Sequence, residues 1–450
     1  MYKSFIYFKK FKEKVEFIDR FLLVFTVLLP FLFATSIFLA DLFSSISGII
    51  LIYIFFKKKI TFFKIIKTEI ILMITFYLII LTSLIFTEYF KISFLASFFY
   101  FRYFLVSLSI FYLLKKYDFV ITIFFYSLIF IILIILVDAL IQYYAGNNLF
   151  GYGWPGSEKI NLQFKYITGF FNEEKKLGSY LVRFLPLMLA TIYWHEKKNT
   201  TFLSVYFLLF VGIIIFLTSE RTALFLYFII CASYFLINQN KLRFMLSIIL
   251  IFGLLFSLQP ELKEKYVNFT INQLKGKYTT LPKKNENILR YYSYEHENLL
   301  YTSIKIFQHN SLFGSGVKSF YHECNYLKKN KPKNFTQNKR QNKLVCSTHP
   351  HNTYFQILSD IGVFGFMIML YFLSYVILSM YKILFKHKKK DKYLLSYYFI
   401  SLGILINIFP LIPSGSFFNN WICLIFSYLF GFWLFLKTQL FHKKSLYKNL

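Results

Sequence analysis

The chain is poor in acidic residues, glycine and proline. Of its 450 residues 21 are Asp or Glu, against 51 Lys or Arg, and glycine and proline number 17 and 9. Hydrophobic residues make up 57% and aromatic residues 22%. Apolar runs near the ~20 residues needed to cross a bilayer recur along the whole length. This composition excludes a soluble multidomain enzyme and predicts an all-α integral membrane protein.

The basic excess does not form a face for nucleic acid, because Lys and Arg cluster in alternate connections between the apolar runs. The positive-inside rule then predicts that both termini are cytoplasmic. The first run is too long for a signal peptide and is expected to remain as an anchor. Twelve transmembrane helices are predicted, over residues 21–40, 42–56, 69–86, 93–114, 118–141, 177–194, 202–217, 222–238, 243–258, 353–380, 393–411 and 419–436.

These spans predict five parts of the chain. They are helices 1 to 5 in residues 1–141, a first outer loop in 142–176, helices 6 to 9 in 177–258, a large helical outer loop in 259–352, and helices 10 to 12 with a cytoplasmic tail in 353–450.

The four cysteines lack metal-binding spacing. No CxxC occurs, and the pair His349 and His351 has no further ligands nearby, so no metal is assigned. Two cysteines fall within spans, whereas Cys324 and Cys346 share the large outer loop. A disulfide between them is expected to close about 22 residues and to tether the segment that leads to His351.

The most informative motif lies where the large outer loop meets a span. His351 and Asn352 are followed after nine residues by Gly362, and two residues later by Gly365. Imidazole titrates near neutral pH, so a histidine at a membrane surface can take a proton from a hydroxyl. This pattern closely resembles the signature of the O-antigen ligase and polymerase superfamily, membrane enzymes that move a glycan from an undecaprenyl diphosphate carrier to an acceptor sugar.

Two arginines extend the resemblance. Arg221, in a short Ser-x-Arg turn, resembles a functionally required arginine of that superfamily. Arg290 precedes an amphipathic helix and a Leu-Phe-Gly-x-Gly turn, Gly314 to Gly316, in which Ser311 replaces the usual proline. A guanidinium presents a fork of donors, which suits the oxygens of a diphosphate better than the point charge of a lysine.

The first outer loop also resembles the superfamily through Gln142 and a Thr-Gly-x-Phe-x-Asn series. The usual basic residue before that series is absent, and Lys165, slightly earlier, is the phosphate candidate. Asp138, Arg102 and Arg183 lie within apolar spans, which predicts a structural Asp-Arg pair near the outer leaflet.

The resemblance implies a GT-C-like fold and a metal-independent, inverting glycosyl transfer, without cofactor, at the periplasmic face of a bacterial inner membrane. Arg221 and Arg290 would bind the carrier diphosphate, and His351 would deprotonate or orient the acceptor hydroxyl. Further residues are expected to contact substrate: Asn352, Lys165, Arg183 and Gln142. Structural roles are expected for Gly314, Gly316, Gly362 and Gly365.

The implied partners are an undecaprenyl-diphosphate-linked donor, a lipid A core or other glycan acceptor, and membrane lipid, with no nucleic acid. A ligase of lipopolysaccharide biosynthesis, a polymerase of carrier-linked repeats and a protein O-oligosaccharyltransferase share this scaffold. The large loop between helices 9 and 10 favours the ligase. A multispan transporter is disfavoured, because the charged motifs crowd one face and no repeat relates the two halves.

The predicted topology can be tested by cysteine labelling. A cysteine introduced at Asn338 should react with a membrane-impermeant reagent in intact cells with a permeabilised outer membrane. A cysteine at Asp391, in a predicted cytoplasmic connection, should react only after lysis. Labelling at 338 that required lysis would overturn the orientation.

Overall fold

A computed structural model describes residues 15–58, 60–153, 166–195, 200–237, 240–275, 291–330, 343–387 and 391–448. The helices of the first half are α1 (Phe17–Thr35), α2 (Ile37–Lys57), α3 (Lys67–Phe86), α4 (Phe90–Phe98), α5 (Phe101–Lys116), α6 (Val120–Ala145), α7 (Leu177–His195) and α8 (Thr200–Leu217). Those of the second half are α9 (Arg221–Ile237), α10 (Lys241–Leu258), α11 (Pro260–Lys263), α12 (Thr270–Leu274), α13 (Tyr294–His309), α14 (Phe320–Lys329), α15 (Thr353–Tyr381), α16 (Lys392–Asn407) and α17 (Asn420–Lys448).

Ten helical stretches in the described ranges are long and apolar enough to cross a membrane. Each of the twelve predicted spans coincides with a helix, the fourth with α4 and α5 together. The two that fall outside the ten are α9 and α16, of 17 and 16 residues. Helices satisfy their backbone groups internally, as lipid requires, and no β-strand occurs within those ranges. The predicted all-α, polytopic fold class is confirmed.

Two helices form the centre of the bundle. In α7 and α17, 89% of the apolar window is buried, against 11% in α10, which lies at the periphery. The central α7 packs mainly against α16, whereas α17 packs against α5 and α16. The centre therefore joins the last two helices of the chain to α5 and α7.

The loops that carry the sequence motifs meet at one end of the bundle, which we call the motif end. In the α8–α9 turn, Glu220 accepts a hydrogen bond from the amide of Gly178 at the start of α7, at 2.7 Å. Between α16 and α17, Ser414 donates its amide to the carbonyl of His351 at 2.8 Å. Segments far apart in sequence are thus fixed against one another at this end.

A small helical unit made of α13 and α14 lies at the motif end. Its own core consists of Leu299, Ile306, Phe320, Cys324 and Leu344. A disulfide joins Cys324 to Cys346, the pairing expected from their shared outer loop, across a sequence separation of 22. It ties α14 to the segment that leads into α15.

The long helix α15 is broken at Gly362, where the backbone has φ 72° and ψ −167°. A break frees carbonyls that the helix would otherwise bond. The carbonyls of Ser359 and Asp360 instead accept the amides of Ser315 and Gly316, each at 2.9 Å. The Gly-x-Gly turn therefore completes the backbone hydrogen bonding of the broken helix.

Only glycine fits where these two segments meet. A Cβ atom at Gly362 would lie 2.2 Å from the carbonyl oxygen of Leu312, and one at Gly314 would lie 2.4 Å from the backbone of Asp360. Both glycines also have positive φ, which disfavours other residues. A Cβ at Gly365 would meet the Ile361 side chain at 2.3 Å.

The Asp-Arg pair expected near the outer leaflet forms with a different aspartate. Arg102 forms an ion pair with Asp41, with 3.1 Å between Nη2 and Oδ1. Asp138 accepts the amide of Leu149 at 2.9 Å and the side chain of Asn148 at 3.3 Å. The prediction involving Asp138 is wrong, because the loop after α6 folds back and its own donors satisfy the carboxylate.

The disulfide should be measurable in protein purified without reductant. Proteolysis and mass mapping should recover the joined Cys324 and Cys346 peptides, while Cys231 and Cys423, which are buried and free, serve as the internal thiol control. Replacing both linked cysteines by serine should destabilise the protein by about 3 kcal/mol on the loop-entropy model. Four free thiols in fresh protein would contradict the pairing.

Candidate functional site

Two adjoining cavities open at the motif end. The smaller cavity has a volume of about 350 Å³ and the larger one about 740 Å³. Lys175, Ser179, Arg183 and Gly415 line both. A ligand bound in one cavity would therefore lie next to a ligand in the other.

Cations dominate the wall of the smaller cavity. Arg221, at the start of α9, donates from Nη1 to Gln273 Oε1 at 2.7 Å and to Thr270 Oγ1 at 3.2 Å. Its guanidinium also lies over the ring of Phe269, with Cζ 5.2 Å from the centroid. The segment after α10 thus holds one of the two cavity arginines in place.

Two lysines add to this positive charge. Lys175 and Lys265 both approach the ring of Tyr166, with Nζ 3.7 and 5.4 Å from its centroid. Burial, together with the neighbouring ammonium of Lys175, lowers the pKa of Lys265 to about 7. A bound anion would favour the charged form of both lysines.

The second arginine is buried and incompletely bonded. Arg183 is 7% exposed and donates from Nη1 to Asn407 Oδ1 at 2.8 Å. Its Nε atom, and Ser219 Oγ on the same cavity wall, are buried without a hydrogen-bond partner in the described part of the chain. Buried polar groups are normally bonded, so both atoms fit a polar ligand in this cavity.

The carboxylate on this wall is already occupied. Glu220 accepts hydrogen bonds from the amides of Gly178 and Ser179, and from Ser179 Oγ at 2.8 Å, so it caps the start of α7. Burial raises the pKa of Glu220 to about 7, although the bonds from Ser179 and Gly178 oppose this shift. Glu220 thus faces the cavity cations with its oxygens already held by these donors.

Basic and aromatic side chains line the larger cavity. Lys176 and Lys318 join the shared Lys175 and Arg183, and Tyr321 and Trp421 provide ring surface. None of the described wall residues is Asp or Glu. This cavity is suited to a ligand with both a ring face and negative charge.

His351 lies beside the two cavities. Its backbone has φ 54°, an uncommon value for a residue other than glycine. The ring lies 4.1 Å from that of His349 and 5.6 Å from that of His296, measured between centroids. It lines a narrow cleft of about 10 Å³ with Tyr292 and Pro413, whereas His349 lines the larger cavity.

Burial keeps this histidine cluster neutral. It lowers the pKa of His351, and it lowers the pKa of His296 and of His349 to about 4, with the charge of His351 adding to both shifts. The charge of Arg221 lowers the pKa of His296 further. Neutral imidazoles can accept a proton, as a general base requires.

Two predicted substrate contacts are engaged within the protein. Asn352 is 3% exposed, caps α15 by accepting the amide of Tyr354 at 3.0 Å, and donates to the carbonyl of Pro410 at 2.8 Å. Gln142 is fully buried and accepts the amides of Thr168 and Gly169 at 2.8 Å. In the structure both residues organise the loops around the cavities.

The structure brings Arg183 and Arg221 to one cavity and His351 to its border. Lys165 and Arg290 lie outside the described residues. Sequence reasoning missed Lys175 and Lys265, two of the cavity cations. Lys175 follows the Thr-Gly-x-Phe-x-Asn series closely, a signal that was available, whereas Lys265 lies in a segment without any motif.

No group of three or more His, Cys, Asp or Glu side chains among the described residues is arranged to hold a metal ion. The groups available for chemistry are the cavity cations and the neutral histidines. They can bind an anion and accept a proton in adjoining positions.

Comparison with known proteins identifies a segment that contains part of this site. Residues 205–370 match the family model described as O-Antigen ligase. No curated protein matches the chain. The matched segment includes Arg221, His351 and both glycines of the His-Asn motif. This match supports the O-antigen ligase and polymerase superfamily for that segment of a multi-pass helical chain.

Proposed function

We propose that this protein is an O-antigen ligase-like enzyme of the bacterial inner membrane. It transfers a glycan from undecaprenyl diphosphate to an acceptor sugar, the lipid A core, at the periplasmic face. The observation that carries the proposal is the juxtaposition of a cation-lined cavity with a cluster of neutral histidines. The disulfide, which is typical of an oxidising compartment, supports the assignment of the motif end to the periplasm.

The smaller cavity binds the diphosphate of the donor. When the bond from the anomeric carbon to the phosphate oxygen breaks, the electron pair stays on that oxygen and the leaving diphosphate gains negative charge. Arg221, Lys265 and Arg183 line the cavity and are held by neighbouring side chains. Fixed cations of this kind stabilise developing charge without having to reorganise, so no metal is required in this mechanism.

The histidine cluster receives the proton of the acceptor. The attacking hydroxyl oxygen bonds to the anomeric carbon on the face opposite the leaving diphosphate, which inverts the configuration, and its proton passes to an imidazole. We assign this role to His351, directly or through His349. Ser414 supports the geometry, because its amide bonds to the His351 carbonyl while the residue itself lines the smaller cavity.

The other predicted contacts have supporting roles. Arg290 is proposed to bind the carrier diphosphate together with Arg221, and Tyr292, two residues later, lines the His351 cleft. Lys165 is proposed as a further phosphate contact. The roles of Asn352 and Gln142 in binding are proposed to be indirect, through the loops that they hold.

A deletion strain tests the reaction class. Loss of a ligase should leave long carrier-linked polymer with no polymer on lipid A core. Accumulation of single repeats would instead identify a polymerase, and loss of glycan from protein alone would identify a protein O-oligosaccharyltransferase. Surface glycolipids and protein glycans that are both unchanged from wild type would contradict all three.

His351 can be tested by replacement with asparagine and with alanine. Asparagine tolerates the left-handed backbone found here, so it removes the imidazole with little strain. Both variants should lower turnover by about 10²- to 10⁴-fold while binding of the carrier-linked donor stays near normal. His387→Asn, beyond the opposite end of α15, is the matched control and should remain active. Near-normal turnover in folded His351→Asn protein would refute the role.

Arg221→Lys retains the charge of Arg221 but not its fork of donors. Loss of one charge-assisted hydrogen bond is worth about 1.5–3 kcal/mol, so the apparent affinity for donor should fall by about 10- to 100-fold. Arg243→Lys, at the opposite end of the bundle, should have no effect. Donor titrations with purified enzyme in lipid nanodiscs measure both, and equal affinity in wild type and Arg221→Lys would exclude recognition by the guanidinium fork.

A further inference from the structure

The larger cavity carries more positive charge than the diphosphate site requires. Lys176 and Lys318 lie on its wall in addition to the shared Lys175 and Arg183. Lys176 forms an ion pair with Glu174, so its charge is partly offset. Lys318 forms no ion pair in the described part of the chain. A net positive wall without carboxylates therefore extends beyond the cations that would hold a diphosphate.

The position of Lys318 is fixed by the backbone. Its φ is 65°, and its amide donates to Asp360 Oδ2 at 3.3 Å, in the turn that follows Gly316. Asp360 is fully buried and also accepts from Gln356 Nε2, and it is not part of the cavity wall. The turn that completes the broken helix thus also carries a lysine to the cavity, while the carboxylate that holds its backbone amide lies outside the cavity wall.

The composition of this wall is poorly matched to a neutral sugar. Sugar hydroxyls donate hydrogen bonds as readily as they accept them, so a neutral sugar needs acceptors such as carboxylates on the wall. Here the charged groups are all donors, and the side-chain oxygens come from neutral hydroxyl and amide groups, those of Ser179, Tyr321, Thr348, Ser416 and Asn419. Burying ammonium and guanidinium groups against neutral hydroxyls would leave their charge uncompensated.

Other wall residues are those expected of a saccharide site. Trp421 and Tyr321 offer ring surface on which a sugar can pack. His349 lies on the same wall, and its ring is 4.1 Å from that of His351. A sugar held there would present its hydroxyl to the histidine cluster.

We propose that the acceptor bound in the larger cavity is an anionic saccharide, with a carboxylate or phosphate group that contacts Lys318 and Lys176 beside the hydroxyl that is glycosylated. The inference rests on the proposed function, which places the diphosphate in the smaller cavity and the acceptor hydroxyl at the histidine cluster, and His349 of that cluster lines the larger cavity. To that function it adds that the acceptor saccharide is negatively charged.

Binding of three matched oligosaccharides tests the proposal. They end in glucuronic acid, in glucose 6-phosphate, or in glucose, and are titrated calorimetrically into the purified full-length protein in nanodiscs. At least one anionic probe should bind about 10-fold or more tightly than the glucose probe, because each charge-assisted contact contributes to affinity. Raising the salt concentration should reduce the difference.

Substitution of the two lysines tests whether they cause the preference for an anionic probe. Lys318→Gln, alone and with Lys176→Gln, should remove most of the preference for the anionic probe and leave affinity for the glucose probe unchanged. Lys329→Gln, on the exposed part of α14 outside the cavity wall, is the matched control and should retain the full preference. If Lys318→Gln does not fold, Lys176→Gln provides the same comparison.

The outcomes distinguish a carboxylate from a phosphate on the acceptor, and they test the anion site separately from the proposed function. Preference for glucuronate identifies a carboxylate, and preference for glucose 6-phosphate identifies a phosphate. Equal affinity for all three probes, no measurable binding, or a preference that survives both lysine substitutions would overturn the proposal. Transfer activity is measured on the same samples, so charge preference without transfer would contradict the proposed function and leave the anion site standing.

Discussion

The architecture of the motif end depends on the break in α15 at Gly362. Unpaired carbonyls near lipid cost several kcal/mol each, so the break requires outside donors, and the amides of Ser315 and Gly316 supply them. This contact fixes the small helical unit of α13 and α14 to the bundle. Through the disulfide of that unit, and through the capping of α15 by Asn352, it also fixes the loop that carries His351.

The cavity walls at the motif end are mainly basic because the nearby carboxylates are hydrogen-bonded to backbone amides. Glu220 accepts a backbone amide at the start of α7, and Asp138 accepts one from the loop after α6. Asp360 accepts the amide of Lys318, in the turn before α14. Lysines and arginines consequently outnumber carboxylates on the described cavity walls, where Glu220 is the one carboxylate. Burial and the neighbouring ammonium of Lys175 lower the pKa of Lys265 to about 7. Such a site is arranged for a polyanion before the polyanion arrives.

Much of the fold could be predicted from hydropathy and charge, because lipid leaves helices as the solution for apolar runs of this length. Arg221 and His351 could be found by motif, since each lies in a short, distinctive segment. Lys175 lies close to a recognisable series, but other contacts at this end arise from tertiary structure that no local pattern records. Lys265 reaches the cavity through a π-helical segment. Arg102 pairs with Asp41, 61 positions away, instead of with Asp138.

The central claim is that the smaller cavity holds the donor diphosphate against fixed cations, next to the histidine cluster. An experimental structure of the protein in nanodiscs with a polyprenyl diphosphate bound tests it most directly. The account predicts diphosphate density between Arg221, Lys265 and Arg183, with the carrier chain leaving toward lipid. Diphosphate density at another place, with this cavity occupied only by water, would contradict it.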